Sequence, residues 1–137
     1  MTTKKLYGFN KYLLDLIKLY EKEKLPKILM LSGKKGQGKF TLVHHLMSHI
    51  FDKGNYIIEK KEISKTNKLF NSIKENYFTN VVYYGCDKNI KMEDIRKLRI
   101  DLQKTSINNF NRYIIFDDVE HLNVNCVNAL LKTIEEP

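Results

Sequence analysis

The run Gly33-Lys34-Lys35-Gly36-Gln37-Gly38-Lys39 has the spacing GxxxxGK. Glycines at these positions let the backbone curl until successive N–H groups face one anion, and a terminal lysine can reach the outer groups of a phosphate chain. A helix opening directly behind the loop adds the partial positive charge of its N-terminus. The implied chemistry is polyphosphate binding, with Gly33, Gly36, Gln37, Gly38, Lys39, Phe40 and Thr41 as the expected contact set. In the full pattern a Ser or Thr follows the lysine and holds Mg²⁺. Here Phe40 stands in that place and Thr41 comes one residue later. A helix turns about 100° per residue, so Thr41 is expected to point away from where the hydroxyl is needed. Any Mg²⁺ would be held weakly or through water. Without a ligand, the same run reads as a glycine-rich turn between strand and helix.

A second constellation is Tyr113-Ile114-Ile115-Phe116-Asp117-Asp118, an apolar run closed by two acids. Such a run suits a strand buried in a sheet with its acids at the carboxyl end. There the first acid can orient Mg²⁺ or its water, and the second can polarise an attacking water. Asp117 is the expected metal-facing carboxylate and Asp118 the expected catalytic one. As an isolated pair they would be read as a cap on the strand or turn, and the upstream loop favours the metal role. His44, His45 and His49 fall mostly off the apolar stripe of their segment. No cysteine or carboxylate accompanies them at metal spacing, so they are expected on a solvated or partly packed face.

The elements that must position these groups alternate. Asn10 is a plausible N-cap for a helix carrying Leu13, Leu16, Ile17 and Tyr20. The run from Ile28 to Leu31, bounded by Pro26 and the glycines, reads as a strand buried on both faces. Leu42, Leu46 and Ile50, with Val43, Met47 and Phe51, mark the helix behind the loop. Residues 52–80 are rich in Lys, Glu and Asn, with one short helix at Leu69, Phe70 and Ile73. Val81 to Tyr84, closed by Gly85, reads as a strand. Met92, Ile95, Leu98 and Leu102 give a third helix, and Val127, Leu130, Leu131 and Ile134 a last one. The alternation predicts an α/β fold with a mostly parallel sheet covered by helices on its faces.

The 137 residues suit one globular unit. A net charge of +8 is compatible with a nucleic-acid or nucleotide partner, although a lysine-rich composition can have other origins. The two cysteines, Cys86 and Cys126, are too few for a disulfide framework and both fall in core-like segments. The N-terminal MTTKKLYGFN lacks an apolar stretch behind its basic residues, and no run approaches membrane-spanning length. The expected location is the cytoplasm, with no membrane partner.

Asn128-Ala129-Leu130-Leu131-Lys132-Thr133-Ile134-Glu135-Glu136-Pro137 closely resembles the NALLKTLEEP signature of bacterial DNA polymerase III clamp-loader AAA+ subunits. Leu25 to Gly33 resembles the strand that leads into the Walker A loop of that family, and Asp94-Ile95-Arg96-Lys97-Leu98 its helix before Walker B. The resemblance implies a P-loop NTPase domain of three α/β/α layers that binds ATP with Mg²⁺. It also implies hetero-oligomeric partners of the delta and tau/gamma kinds, and action on a sliding clamp and primer-template DNA through the assembled complex. Tyr7, Gly8 and Phe9 would lie near the adenine.

Two departures choose among subunits. Phe40 for Ser or Thr and Asp118 for the usual Glu both weaken hydrolysis, which suits the delta-prime type better than the tau/gamma motor. Many members carry a cysteine-ligated zinc module between the two motifs; with only Cys86 in that interval, zinc is expected to be absent. The resemblance casts residues 1–137 as the N-terminal part of the AAA+ domain, ahead of the sensor 1 strand, lid and oligomerisation domain. Sheet edges left without that strand are expected to make the piece poorly stable alone. The alternatives are a hydrolysing tau/gamma ATPase, a P-loop kinase, and a nucleotide-free scaffold.

Overall fold

The computed structural model describes residues 5–57, 60, 62–63, 80–85, 89–103 and 111–135. The expected helix at Leu69, Phe70 and Ile73 lies outside the described residues, as do Cys86, Glu136 and Pro137. The chain divides into two compact units, Met1–Ser72 and Ile73–Pro137.

In the first unit, helix α1 spans Asn10–Glu21 and helix α2 spans Lys39–Phe51. Asn10 is the first helical residue and not the N-cap, because Gly8 (φ 72°) and Phe9 (φ 53°) turn the chain into the helix one residue earlier. Leu13 N–H donates to the Phe9 carbonyl at 2.9 Å. Leu13, Leu16 and Ile17 recur at helical spacing and are buried, as are Leu42, Leu46 and Met47 of α2. Strands β1 (Tyr56–Ile57) and β2 (Glu62–Ile63) pair antiparallel.

The histidine row differs from the sequence expectation. His44, His45 and His49 are 2%, 0% and 1% exposed. Tyr56 packs against two of them, and His44 lies against the Phe40 ring. The Tyr56 ring meets His45 edge-on at 5.6 Å and His49 at 6.0 Å, and its hydroxyl shares a 3.0 Å hydrogen bond with His45 Nδ1. Burial raises the Tyr56 phenol far above its ordinary range, so it stays neutral. Glu21 Oε1 lies 3.9 Å from His49 Nε2 and 3.9 Å from Lys53 Nζ.

The run from Ile28 to Leu31 also departs from expectation. It forms no strand, and Ile28, Leu29 and Met30 are 58%, 45% and 78% exposed. A strand is held by its ladder partners, and no described residue pairs with this run.

In the second unit, β3 (Val81–Gly85) and β4 (Tyr113–Asp117) pair in parallel through the crossover helix α3 (Met92–Gln103). The register sets Val81 opposite Tyr113, Tyr84 opposite Phe116 and Gly85 opposite Asp117. Tyr84 and Phe116 stack at 4.9 Å and 11°, a pairing worth about 1 kcal/mol beyond its buried area. Helix α3 starts where Asp94 Oδ2 accepts the Lys91 N–H at 2.8 Å, and it buries Ile95 and Leu98. At its far end the Arg112 guanidinium donates to the Asp101 carbonyl, satisfying an acceptor that the helix leaves open.

Helix α4 (Val124–Glu135) is capped by Asn123, whose Oδ1 accepts the Cys126 N–H at 2.8 Å. Cys126 is fully buried, and its Sγ–H donates to the Ile90 carbonyl at 3.4 Å. Leu102, Leu131 and Ile134 keep 43%, 47% and 39% exposure despite their helical spacing. The described strands thus make a parallel pair joined by a crossover helix, in keeping with the α/β fold expected, and a separate antiparallel pair. No described helix is long and apolar enough to cross a membrane.

Burial lowers the His49 imidazole below its ordinary 6.5, Lys53 adds to this, and Glu21 partly opposes it. The unfolded chain therefore binds a proton more readily than the native one just below pH 6.5. Stability from this group is complete above that pH, falls as pH drops beneath it, and levels off once the lowered native value is passed. Thermal melts followed by circular dichroism should show a lower midpoint at pH 5.5 than at pH 7.5, with a smaller drop in His49→Phe. Equal drops in the two proteins would remove His49 as the cause.

Candidate functional site

Left-handed backbone at Gly36 (φ 82°) and Gly38 (φ 90°) shapes the glycine-lysine loop, and α2 begins at Lys39 directly behind it. A non-glycine residue rarely holds such angles. Lys39 Nζ donates to the Gly33 carbonyl at 2.7 Å and to the Lys34 carbonyl at 2.9 Å. Lys34 N–H donates to Gln37 Oε1 at 3.0 Å. The loop is thus closed on itself by the groups that would face a phosphate chain.

The phosphate part of a nucleotide fits these residues. A Cβ built on Gly36 meets nothing within 4 Å, the loop from Ser32 to Gln37 is exposed, and its donors are N–H groups and an ammonium. Binding would require Lys39 to exchange its two carbonyls for phosphate oxygens. Phe40 offers no oxygen: its ring lies against that of His44, one turn further along the helix, with ring centres 5.6 Å apart. Thr41 is buried, at 8% exposure. Neither of the two residues after Lys39 therefore offers an exposed hydroxyl where a Mg²⁺ ligand is expected.

The Phe9 ring lies beside the loop, with Cε2 3.6 Å from a Cβ built on Gly38. Tyr7 is 72% exposed, and Lys5 Nζ stands 5.8 Å from its ring centre. An aromatic wall at the loop and an exposed ring close to it in sequence are what a purine base would stack on.

Asp117 ends β4, and its Oδ2 accepts a hydrogen bond from Tyr83 Oη at 2.9 Å. Asp118 follows in left-handed backbone (φ 55°, ψ 49°) and opens a 3-10 turn over Val119–His121, where His121 N–H donates to its carbonyl at 3.0 Å. The structure therefore gathers Gly33 through Thr41 in the first unit and sets Asp117 and Asp118 together at one strand end in the second.

With this geometry in place, the family described as "DNA polymerase III, delta subunit" matches residues 9–137. The chain belongs to the DNA polymerase III delta-subunit family. This places it among clamp-loader-type subunits of DNA replication. The DNA polymerase III subunit tau/gamma of Haemophilus influenzae is 29% identical over 117 residues, covering 83% of this chain and 16% of that protein. The delta-family chain thus spans less than a fifth of that relative's length. No solved structure matches it.

Sequence reasoning missed two features of this clamp-loader-family chain. The first is Tyr83, whose link to Asp117 has no local signal. The second is a cavity of about 380 Å³ between α3 and α4, where Arg96, Arg99 and Lys132 stand with Asn125 and Asn128 over a floor that includes Ile95. Periodicity does disclose its cations: Arg96 and Arg99 are three apart on α3, and Asn125, Asn128 and Lys132 follow at intervals of three and four on α4.

Gly38→Ala should cost about 1–2 kcal/mol, because alanine is strained at this φ. Gly54→Ala is the comparison, since its Cβ would meet nothing within 4 Å and its φ is not positive. Urea unfolding of both variants checks this, and equal midpoints would mean that the loop relaxes to another conformation.

Proposed function

We propose that this chain is the N-terminal part of the AAA+ nucleotide-binding module of a delta-prime-type clamp-loader subunit. It would act in the cytoplasm, in ATP-dependent loading of the sliding clamp onto primed DNA, beside delta and tau/gamma partners. The observation that carries this reading is the loop itself: left-handed glycines deliver Lys39 to a helix N-terminus, while Phe40 turns onto His44 and leaves no hydroxyl for Mg²⁺. A loop built for phosphate but short of a metal ligand suits a subunit that holds ATP without turning it over. Lys39 and the loop N–H groups would hold the phosphates, Phe9 and Tyr7 the base, and Asp117 the metal or its water. Bound Mg²⁺ would supply charge neutralisation at the outer phosphates. The reading includes no zinc.

The likeness to the Haemophilus tau/gamma subunit favours one alternative, a hydrolysing motor. The two separate on fluorescent ATP binding to the full-length gene product, with and without Mg²⁺, followed by turnover. The delta-prime reading expects binding that weakens at least tenfold in Lys39→Ala and no steady turnover. Steady, Lys39-dependent turnover selects the motor, and no binding at all selects a nucleotide-free scaffold.

The α3–α4 cavity supports contact with DNA in the same assembly. Three cations beside amide side chains match the phosphate backbone, which such groups neutralise with release of counterions. In the assembled loader, Arg96→Glu with Lys132→Glu should weaken primed-DNA binding about tenfold or more and flatten its dependence on salt. An unchanged salt slope would separate this groove from DNA.

A further inference from the structure

We infer that the Gln37 carboxamide is a built-in competitor for the anion site of the glycine-lysine loop, so that this side chain sets the affinity with which the loop takes a polyphosphate chain. The inference rests on the proposed reading of that loop as the phosphate site.

Lys34 and Gln37 exchange two hydrogen bonds. The Lys34 N–H donates to Gln37 Oε1 at 3.0 Å, and the Gln37 N–H donates to the Lys34 carbonyl at 3.3 Å. The second bond closes a backbone turn. The first fills a loop N–H with a side-chain oxygen, an acceptor of the kind that a phosphate would offer. Gly33 makes room for that oxygen: a Cβ built there would stand 2.5 Å from Gln37 Oε1, too close for both atoms to stay. Lys39 Nζ is engaged at the same time, on the Gly33 and Lys34 carbonyls. One side-chain acceptor and two carbonyls therefore hold the donors on which an anion would draw.

Gln37 is exposed, so water competes for its bond and the net strength of that bond is modest. Its tether works the other way. Only three residues from its donor, the carboxamide is held at a high effective concentration beside the Lys34 N–H, as a free anion is not. A polyphosphate has charge in its favour, because bonds to an ionised acceptor are about twice as strong as neutral ones. The loop thus binds the chain by exchanging the carboxamide for it, and binds it less tightly than a loop without that competitor.

The test uses inorganic tripolyphosphate without metal as the probe, titrated into the full-length protein by isothermal titration calorimetry. Gln37→Ala should bind it about threefold more tightly than wild type, and Gln37→Glu, which keeps an acceptor and adds a negative charge, more weakly. A second readout leaves Gln37 in place. In wild type the side-chain amide resonance of Gln37, assigned by its loss in Gln37→Ala, should shift as tripolyphosphate is added. Wild-type or weaker binding in Gln37→Ala, tighter binding in Gln37→Glu, or an unmoved side-chain amide while tripolyphosphate binds overturns the competing role and leaves the loop as phosphate site. Equal tripolyphosphate binding by wild type and Lys39→Ala, or none by any of these proteins, overturns the phosphate reading and the inference with it.

Discussion

A left-handed backbone at Gly38 delivers the chain from the loop into α2, and the first turn of that helix takes its directions from this one residue. With about 100° between successive side chains, Lys39, Phe40 and Thr41 must diverge. Lys39 turns back over the loop carbonyls, Phe40 lies along the helix onto His44, and Thr41 goes into the interior. The same turn that presents an ammonium to an anion thus removes the hydroxyl-bearing residue from it. Loop geometry and the loss of a metal ligand are one fact of helical phase.

Helix α2 is buried nearly all round, and part of that burial is polar. Imidazoles taken out of water cost free energy unless their nitrogens and ring edges find partners. Tyr56 supplies several of these at once, through its hydroxyl on His45 and its ring against His45 and His49. A helix anchored in this way holds its N-terminus, and therefore the loop, in a defined place. The acid sensitivity expected of His49 is the other side of the same burial.

In the second unit the corresponding constraint is register. One residue of slip between β3 and β4 would put Tyr83 and Asp117 on opposite faces and separate the stacked Tyr84 and Phe116. The stack and the hydrogen bond use alternate residues on the two faces of the same pair of strands. Packing on one face thereby fixes the carboxylate on the other.

Much of the local geometry of the candidate site was legible in the chain by itself, because its signals are local. Glycine spacing before a lysine specifies a loop, apolar periodicity specifies α2 and α3, and an apolar run closed by two acids specifies β4 and its end. The C-terminal signature pointed to the clamp-loader family to which the chain belongs. Other features depended on residues far apart in sequence. Tyr56 packs against His45 and His49, which are buried, and Ile28 to Leu31 form no strand and have no ladder partner among the described residues. The bond from Tyr83 to Asp117 joins residues 34 apart and exists only in one strand register. Sequence alone determined which groups could do chemistry, since that depends on residue type and short spacing. Tertiary structure decided which of them are covered, turned aside or held, because those outcomes depend on what packs against each face.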